Sequence, residues 1–338
     1  MIPSYYKNAF KGARITLVPT GKCNAACPHC SASRLPKMEM DIREARRLIP
    51  RLARLSGRRK AFIFGGEPML HKDFNEILTI TAQNFKSVKL DTNASQLKSL
   101  KRARAFVRSL PHNVDVNLGV GTLHFQPSKH APIGKLAVKA GNACRNGAKR
   151  LLLASSILNS SINGPRITIL HRYTPLEAKT KFGGKERLDA EAAFNEAAEA
   201  LRDPKAVAAM RAGVKSGLIN VGSNIINPTG RASQFFDEAG IRNGARGFTT
   251  TQAHEHVQGK PEILVLPNWD MYLSGGVSGI HDLPVDYLGN LKTDDFFGIA
   301  KRTINARVMV SERDKRAAEL GDIWVARAKG PKQQAKGQ

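Results

Sequence analysis

Apolar and polar positions alternate along this chain in two distinct rhythms. "ARITLVPT" is a short β-branched run closed by Pro19 and the Thr20-Gly21 turn, and it predicts a strand. "DIREARRLIPRLARL" sets Ile42, Leu48, Ile49, Leu52 and Leu55 near helical spacing, with Asp41 as its N-cap and Pro50 expected to bend or break it. "KAFIFGG" predicts a strand, "DFNEILTITAQNF" a helix, "SVKLDTN" a strand, "QLKSLKRARAFVRSL" a helix and "NVDVNLGV" a strand. "IGKLAVKAGNACRNGA" follows as a helix and "KRLLLASSIL" as a fifth strand, with "RITILHRY" another strand or hairpin arm. "DAEAAFNEAAEALRD" and "PKAVAAMRAGVK" are Ala-rich helices by propensity, and "LINVGSNIINPTGRA" returns to a strand.

Strands alternating with helices imply parallel pairing, as an open sheet or as a full or partial barrel, with about six β/α units by residue 230. From residue 231 the rhythm becomes turn-rich, with short strands in "PEILVLPNWDMYLSGGVSGIHDLPVDYLGNL". "KTDDFFGIAKRTI" closes this part as a helix, with Thr293 and the acids at its start. The division expected is a lead-in over 1–12, an α/β unit over 13–230, an extension over 231–325 and a disordered basic tail over 326–338. No internal repeat is visible.

Composition narrows the class. The chain has 338 residues, 41% of them hydrophobic, enough for a sizeable core. No apolar run approaches the roughly 20 residues of a membrane span, and "MIPSYYKNAFKGAR" lacks the apolar core of a secretory signal. These features predict a cytoplasmic protein without membrane contact, where a reducing environment disfavours structural disulfides. The formal charge of +25 is unusual. It fits a solvated surface, a docking face for an acidic protein or peptide, or a nucleic-acid contact. Aromatic residues are only 6%, and none interleaves with the basic runs.

Three of the four cysteines, Cys23, Cys27 and Cys30, fall in "CNAACPHC" on the loop after the first strand. Such C-x3-C-x2-C spacing suits an iron–sulfur cluster, whose fourth iron would stay open for a ligand. A Cys3His zinc site using His29 is the rival, although His29 directly adjoins Cys30. The second strand ends in "GGEP", with Gly65, Gly66, Glu67 and Pro68 at the end where parallel folds keep their sites. Its glycines let backbone approach a ligand with peptide groups free to bond it, and Glu67 offers a carboxylate suited to an ammonium group.

In these two motifs, in this order and on these elements, the sequence resembles the radical S-adenosylmethionine (SAM) superfamily. "HKDFNEIL" and "LDTNAS" add to the likeness, which covers about residues 13–230. The resemblance implies a partial (β/α)6 TIM-type barrel in which Cys23, Cys27 and Cys30 ligate one [4Fe–4S] cluster. SAM would chelate the fourth iron through its amino and carboxylate groups. Gly65, Gly66, Glu67 and Pro68 would form the turn holding the SAM amino group, and His29 would pack near the adenine. Asn93, Asn117 and Ser155 are expected at the ends of strands three, four and five, for ribose and carboxylate contacts. The implied reaction is reductive cleavage of SAM to a 5′-deoxyadenosyl radical, which takes hydrogen from a substrate.

"NPTGRA", "DYLGNL" and "TDDFFGI" resemble the SPASM or twitch extension of peptide- and protein-modifying members, but the cysteines for auxiliary clusters are absent. A single cluster in a small α+β extension-bearing enzyme is therefore expected. A peptide or protein substrate is the leading expectation, with RNA or a small molecule as alternatives, and an acidic flavodoxin- or ferredoxin-like electron donor as partner. Cys144 reads as a buried small side chain in a helix, its rival role being hydrogen donation to a substrate radical. His254 and His256 read as a polar loop, lacking the i, i+4 spacing of a helical zinc pair.

Overall fold

The computed structural model describes residues 9–10, 13–25, 27, 30, 32, 35–121, 125, 134–158, 166–173, 188–225, 262–274, 286–295 and 298–305. The N-terminal strands and helices alternate as β1 (Arg14–Leu17), α1 (Ile42–Ser56), β2 (Lys60–Ile63), α2 (Phe74–Asn84), β3 (Ser87–Thr92), α3 (Leu100–Ser109) and β4 (Val114–Gly119). They continue as α4 (Gly134–Ala154), β5 (Ile167–Tyr173), α5 (Ala190–Leu201), α6 (Pro204–Lys215) and β6 (Ile219–Ile225). β7 (Glu262–Val265), β8 (Asp270–Ser274), β9 (Asp286–Asn290) and α7 (298–305) follow.

Among the described residues one nine-stranded sheet runs β6-β5-β4-β3-β2-β1-β7-β8-β9. All neighbours from β6 to β7 are parallel, and β8 and β9 join antiparallel. Among the described residues the sheet does not close, an open α/β arrangement consistent with the expected partial TIM-type barrel. One strand face carries Ile15, Leu17, Ala61, Ile63, Val88, Leu90, Val114, Val116, Ile167 and Ile169, all buried in one core with the helices. Each Val, Leu and Ile among them contributes about 1.5–3 kcal/mol on burial. The opposite face is polar on β3 and β4, where Lys89, Asp91, Asp115 and Asn117 alternate with the core residues.

Local sequence explains the helix ends. Asp41 accepts the amides of Arg43 and Glu44 at 2.8 and 3.2 Å, and Gly57 ends α1 at φ 75°. α1 runs unbroken through Pro50, contrary to the expectation, because Leu48, Ile49, Leu52 and Ala53 around it are fully buried and hold the helix in place. "KRLLLASSIL" is not a strand. It is the end of α4 and a 3-10 turn, Ser155–Ile157, and the fifth strand is "ITILHRY". A continuous apolar run fits either element, and here Leu151, Leu152 and Ala154 bury one side of a long helix.

β7 continues the sheet beyond β1. The buried Glu262 carboxylate accepts Arg14 Nη2 at 2.9 Å and the Thr16 hydroxyl, which pins the seam. Asp295 accepts the Gly298 amide at 2.9 Å at the start of α7, near the predicted acids. The 326–338 tail, "NPTGRA", His254 and His256 lie outside the described residues, as does most of the lead-in. No helix among the described residues is long and apolar enough to cross a membrane.

Candidate active site

The three-cysteine loop leaves β1 and returns to α1 through a narrow neck. Gly21 N donates to Met38 O at 3.2 Å and Met40 N to Pro19 O at 2.8 Å, with Thr20 and Glu39 forming an antiparallel bridge. A Cβ on Gly21 would stand 2.0 Å from Pro36 O, so the neck requires glycine there. The same neck docks on the turn after β2. Gly66 N donates to Thr20 O at 2.9 Å and Glu67 N to Lys22 O at 2.8 Å.

A Cβ on Gly66 would lie 2.0 Å from Lys22 O, and Gly65 sits at φ +144°. The "GGEP" glycines therefore let two backbones touch. This corrects the expectation that their peptide groups are all free for a ligand, because the Gly66 and Glu67 amides are already committed to the loop. The carbonyls of Gly65 and Gly66 accept no hydrogen bond among the described residues. They suit a donor such as an ammonium group. Pro68 is buried at the first position of a 3-10 turn, Pro68–Leu70, that continues this segment.

Glu67 is 1% exposed. Its Oε1 accepts the Thr92 hydroxyl at 2.7 Å and Met69 N at 3.1 Å, and its Oε2 accepts Asn93 N at 2.7 Å. Burial raises its pKa to about 7, against the pull of those three donors. The carboxylate thus braces the end of β2 to the end of β3, with three of its about four acceptor directions filled. Asn93 extends the brace, donating from Nδ2 to Asn24 Oδ1 at 3.4 Å and to Cys23 Sγ at 3.9 Å. Asn24 and Ser95 share a further bond at 2.8 Å. The ends of β1, β2 and β3 meet in this network.

Cys23, Cys27 and Cys30 are all partly exposed. Burial pushes the Cys23 thiol up to about 11, with Glu67 and Cys30 adding to the rise. Cys30 N bonds Cys27 O at 3.3 Å in a turn, and Cys30 packs on an apolar cluster of Val18, Ala32, Leu35, Phe64, Leu264 and Leu266. Among the described residues no three His, Cys, Asp or Glu side chains converge to hold a single metal ion. Three thiols at C-x3-C-x2-C spacing are a donor set that fits a cluster. His29 lies outside the described residues.

Asn117 stands on β4 between Asp91 and Thr168 in register, on the face away from the helices. It is 8% exposed, and its Oδ1 has no hydrogen-bond partner among the described residues. That orphan acceptor fits the hydroxyl or amino donor of a ligand. Ser155 is not at a strand end. It is buried in the turn after α4, where its hydroxyl donates to Leu152 O at 2.5 Å, so the expected ligand role loses its basis.

Cys144 is buried in the middle of α4, and burial pushes its thiol far up, with charge on Cys27, Glu67 and Cys23 adding to the effect. One turn further along, a Cβ on Gly147 would stand 2.0 Å from Ala94 O, so α4 packs directly on the turn carrying Asn93. Asn24, Thr92, Ser95 and His71 join the site without any sequence signal beyond adjacency to the cysteine loop and to "LDTNAS" and "GGEPMLH".

An open, mostly parallel α/β sheet thus carries a three-thiol loop and a glycine turn at the carboxyl ends of adjacent strands, the end at which folds of this class keep their sites. Residues 17–133, about a third of the chain, match the family model of the Radical SAM superfamily. A [4Fe–4S] cluster and SAM are the cofactors this family uses. Comparison with curated proteins returns no match. Among solved structures the chain is similar to Streptococcus suis SuiB bound to S-adenosylmethionine, at 12% identity and TM-score 0.47, over 85% of this chain and 64% of that one. It is similar also to anSMEcpe with bound AdoMet and Cp18Cys peptide, at 12% identity and TM-score 0.47, over 85% and 80% of the two chains. BtrN in complex with AdoMet and 2-DOIA matches at 12% identity and TM-score 0.40, over 88% and 86%.

Proposed function

We propose that Cys23, Cys27 and Cys30 hold the cluster, and that the Gly65 and Gly66 carbonyls receive the amino group of SAM. Asn117 Oδ1 is assigned to another SAM donor, and Glu67 braces the turn and is left one acceptor direction for the same ligand. When bound, cluster and SAM together supply reductive cleavage of the sulfonium and removal of a hydrogen atom from the substrate. The chain's own residues position the loop, orient the ligand and keep water from the reacting carbon. The observation that carries this reading is the single network joining the three-cysteine loop, the "GGEP" turn and Asn93.

The substrate is assigned to peptides or proteins, with residues 13–230 as the catalytic barrel and 231–325 as an extension shaping the cleft. Its support is the way β7–β9 prolong the sheet beside β1, together with the likeness of "DYLGNL" and "TDDFFGI" to a peptide-enzyme extension. The charge of +25 favours an acidic electron donor, and it keeps RNA as the second reading.

The test is anaerobic reconstitution with iron and sulfide, metal counting, then reduction with SAM present. Iron at one [4Fe–4S] cluster per chain and release of 5′-deoxyadenosine are expected, and both should vanish when the three cysteines are changed to Ala. Zinc at those thiols, or reduced holoprotein that leaves SAM whole, would remove the assignment.

A further inference from the structure

His71 follows the 3-10 turn behind "GGEP" and is 3% exposed. Its two ring nitrogens have different partners. Nδ1 accepts the Asp73 amide at 3.0 Å, so it carries a lone pair. A neutral imidazole then bears its proton on Nε2. That nitrogen lies 2.8 Å from Met40 O and donates to it.

Met40 is the closing end of the three-cysteine loop. Its own amide bonds Pro19 O at 2.8 Å, and Asp41 beside it caps α1. The opening end of the loop is held by the Gly66 and Glu67 amides, so both ends are fastened to one turn, the first by backbone and the second by His71. Fixing the ends in the metal-free protein removes part of the chain entropy that cluster binding would otherwise have to overcome.

We propose that His71 is a positioning residue that locks the three-cysteine loop in its cluster-binding shape, which rests on the cluster reading above. It acts on the cofactor through Met40 and the neck, not by contact with it. Two substitutions separate its two bonds. His71→Asn sets an acceptor near Nδ1 and can keep the Asp73 amide, but it is too short to reach Met40 O. His71→Gln sets an amide donor near Nε2 and can keep Met40, but it releases Asp73.

The experiment uses the full chain. Alkylation of Cys23, Cys27 and Cys30 by iodoacetamide is followed by mass spectrometry in metal-free protein, and iron loss to a chelator in reconstituted protein, with thermal melting alongside. His71→Asn should lose iron roughly tenfold faster than the native chain, in the range of other outer-shell changes at metal sites. Its loop thiols should alkylate severalfold faster, while His71→Gln stays close to native in both. Native-like protection in the Asn variant overturns the lock. So does a Gln variant as impaired as Asn while melting normally, since that pattern belongs to the Asp73 bond. Should the Asn variant fail to fold, the Gln variant alone decides, because lost protection there contradicts the proposal. A native chain that takes up no cluster would remove the cofactor reading instead, and the alkylation rates in metal-free protein would still judge His71.

Discussion

At the scale of single residues, two ionisable groups give the site its own titration behaviour. Burial pushes the Cys23 thiol up to about 11, so metal-free protein should keep it protonated at neutral pH, and the cluster assembly proposed there would release a proton. Its alkylation rate is expected to climb about tenfold per pH unit from 7 to 10, with no plateau near the usual thiol value. A plateau near 9 in peptide-mapped rates would show a solvated thiol. Glu67 has the opposite practical range. Its folded pKa of about 7 lies above the ordinary 4.5, so the native state binds the extra proton between those values. Its contribution is then fully present below about pH 4.5 and is lost as pH rises to 7, by roughly 3 kcal/mol. In Glu67→Gln this slope should disappear, although one of the Thr92, Met69 and Asn93 donors must then face an amide NH2, at about 1–3 kcal/mol. Urea denaturation of both metal-free proteins at pH 5 and pH 8 checks the sign. Native stability minus variant stability should fall by roughly 2–3 kcal/mol from pH 5 to pH 8, and a rise would contradict it.

At the scale of elements, legibility depended on whether local pattern and burial agreed. β1 to β4, α1 to α3 and the two Ala-rich helices were readable, because period, caps and β-branching all pointed the same way. "KRLLLASSIL" misled because Leu151 to Leu153 carry no period, and only the length of α4 decides the matter. Pro50 misled in the other direction, since tertiary burial outweighed a lost helix bond. The three cysteines and "GGEP" were legible as a pair of motifs. What the glycines do was not, because contact between the backbones of Lys22 and Gly66, 44 residues apart, leaves no trace in spacing. Gly66 tests that point. Its Cβ shadow meets backbone at Lys22 O, which cannot swing aside as a side chain would. Gly66→Ala should therefore cost about 1–3 kcal/mol and loosen the cysteine loop. Faster alkylation of Cys23 together with a lowered denaturation midpoint is the expected result, and native values for both would show that the loop and turn are not in contact.

At the scale of the whole molecule, the question is what a charge of +25 does for a chain that, on the function proposed above, takes electrons from an outside donor. α1 begins where the cysteine loop ends, and Arg43, Arg46, Arg47 and Arg54 are exposed along it, with Arg58 and Arg59 just beyond. Glu44 and Glu76 pair with Arg47 and Arg46, at 2.8 and 2.5 Å, but surface pairs of this kind weaken the outer field only in part. An acidic donor would thus be drawn toward the helix that leads into the site, and steering of that kind acts on encounter rate and fades with salt. Changing Arg43, Arg54, Arg58 and Arg59 together to Glu should slow reduction by a flavodoxin about tenfold or more at low ionic strength, while dithionite reduction stays near native. Raising the salt to about 1 M, where the screening length falls to roughly 3 Å, should erase most of the difference. An equal deficit with dithionite would mean that the substitutions disturb α1 and the loop it anchors. Unchanged flavodoxin rates at low salt would assign the basic surface to another acidic partner, and RNA that copurifies with the native chain but not with the variant would then name it.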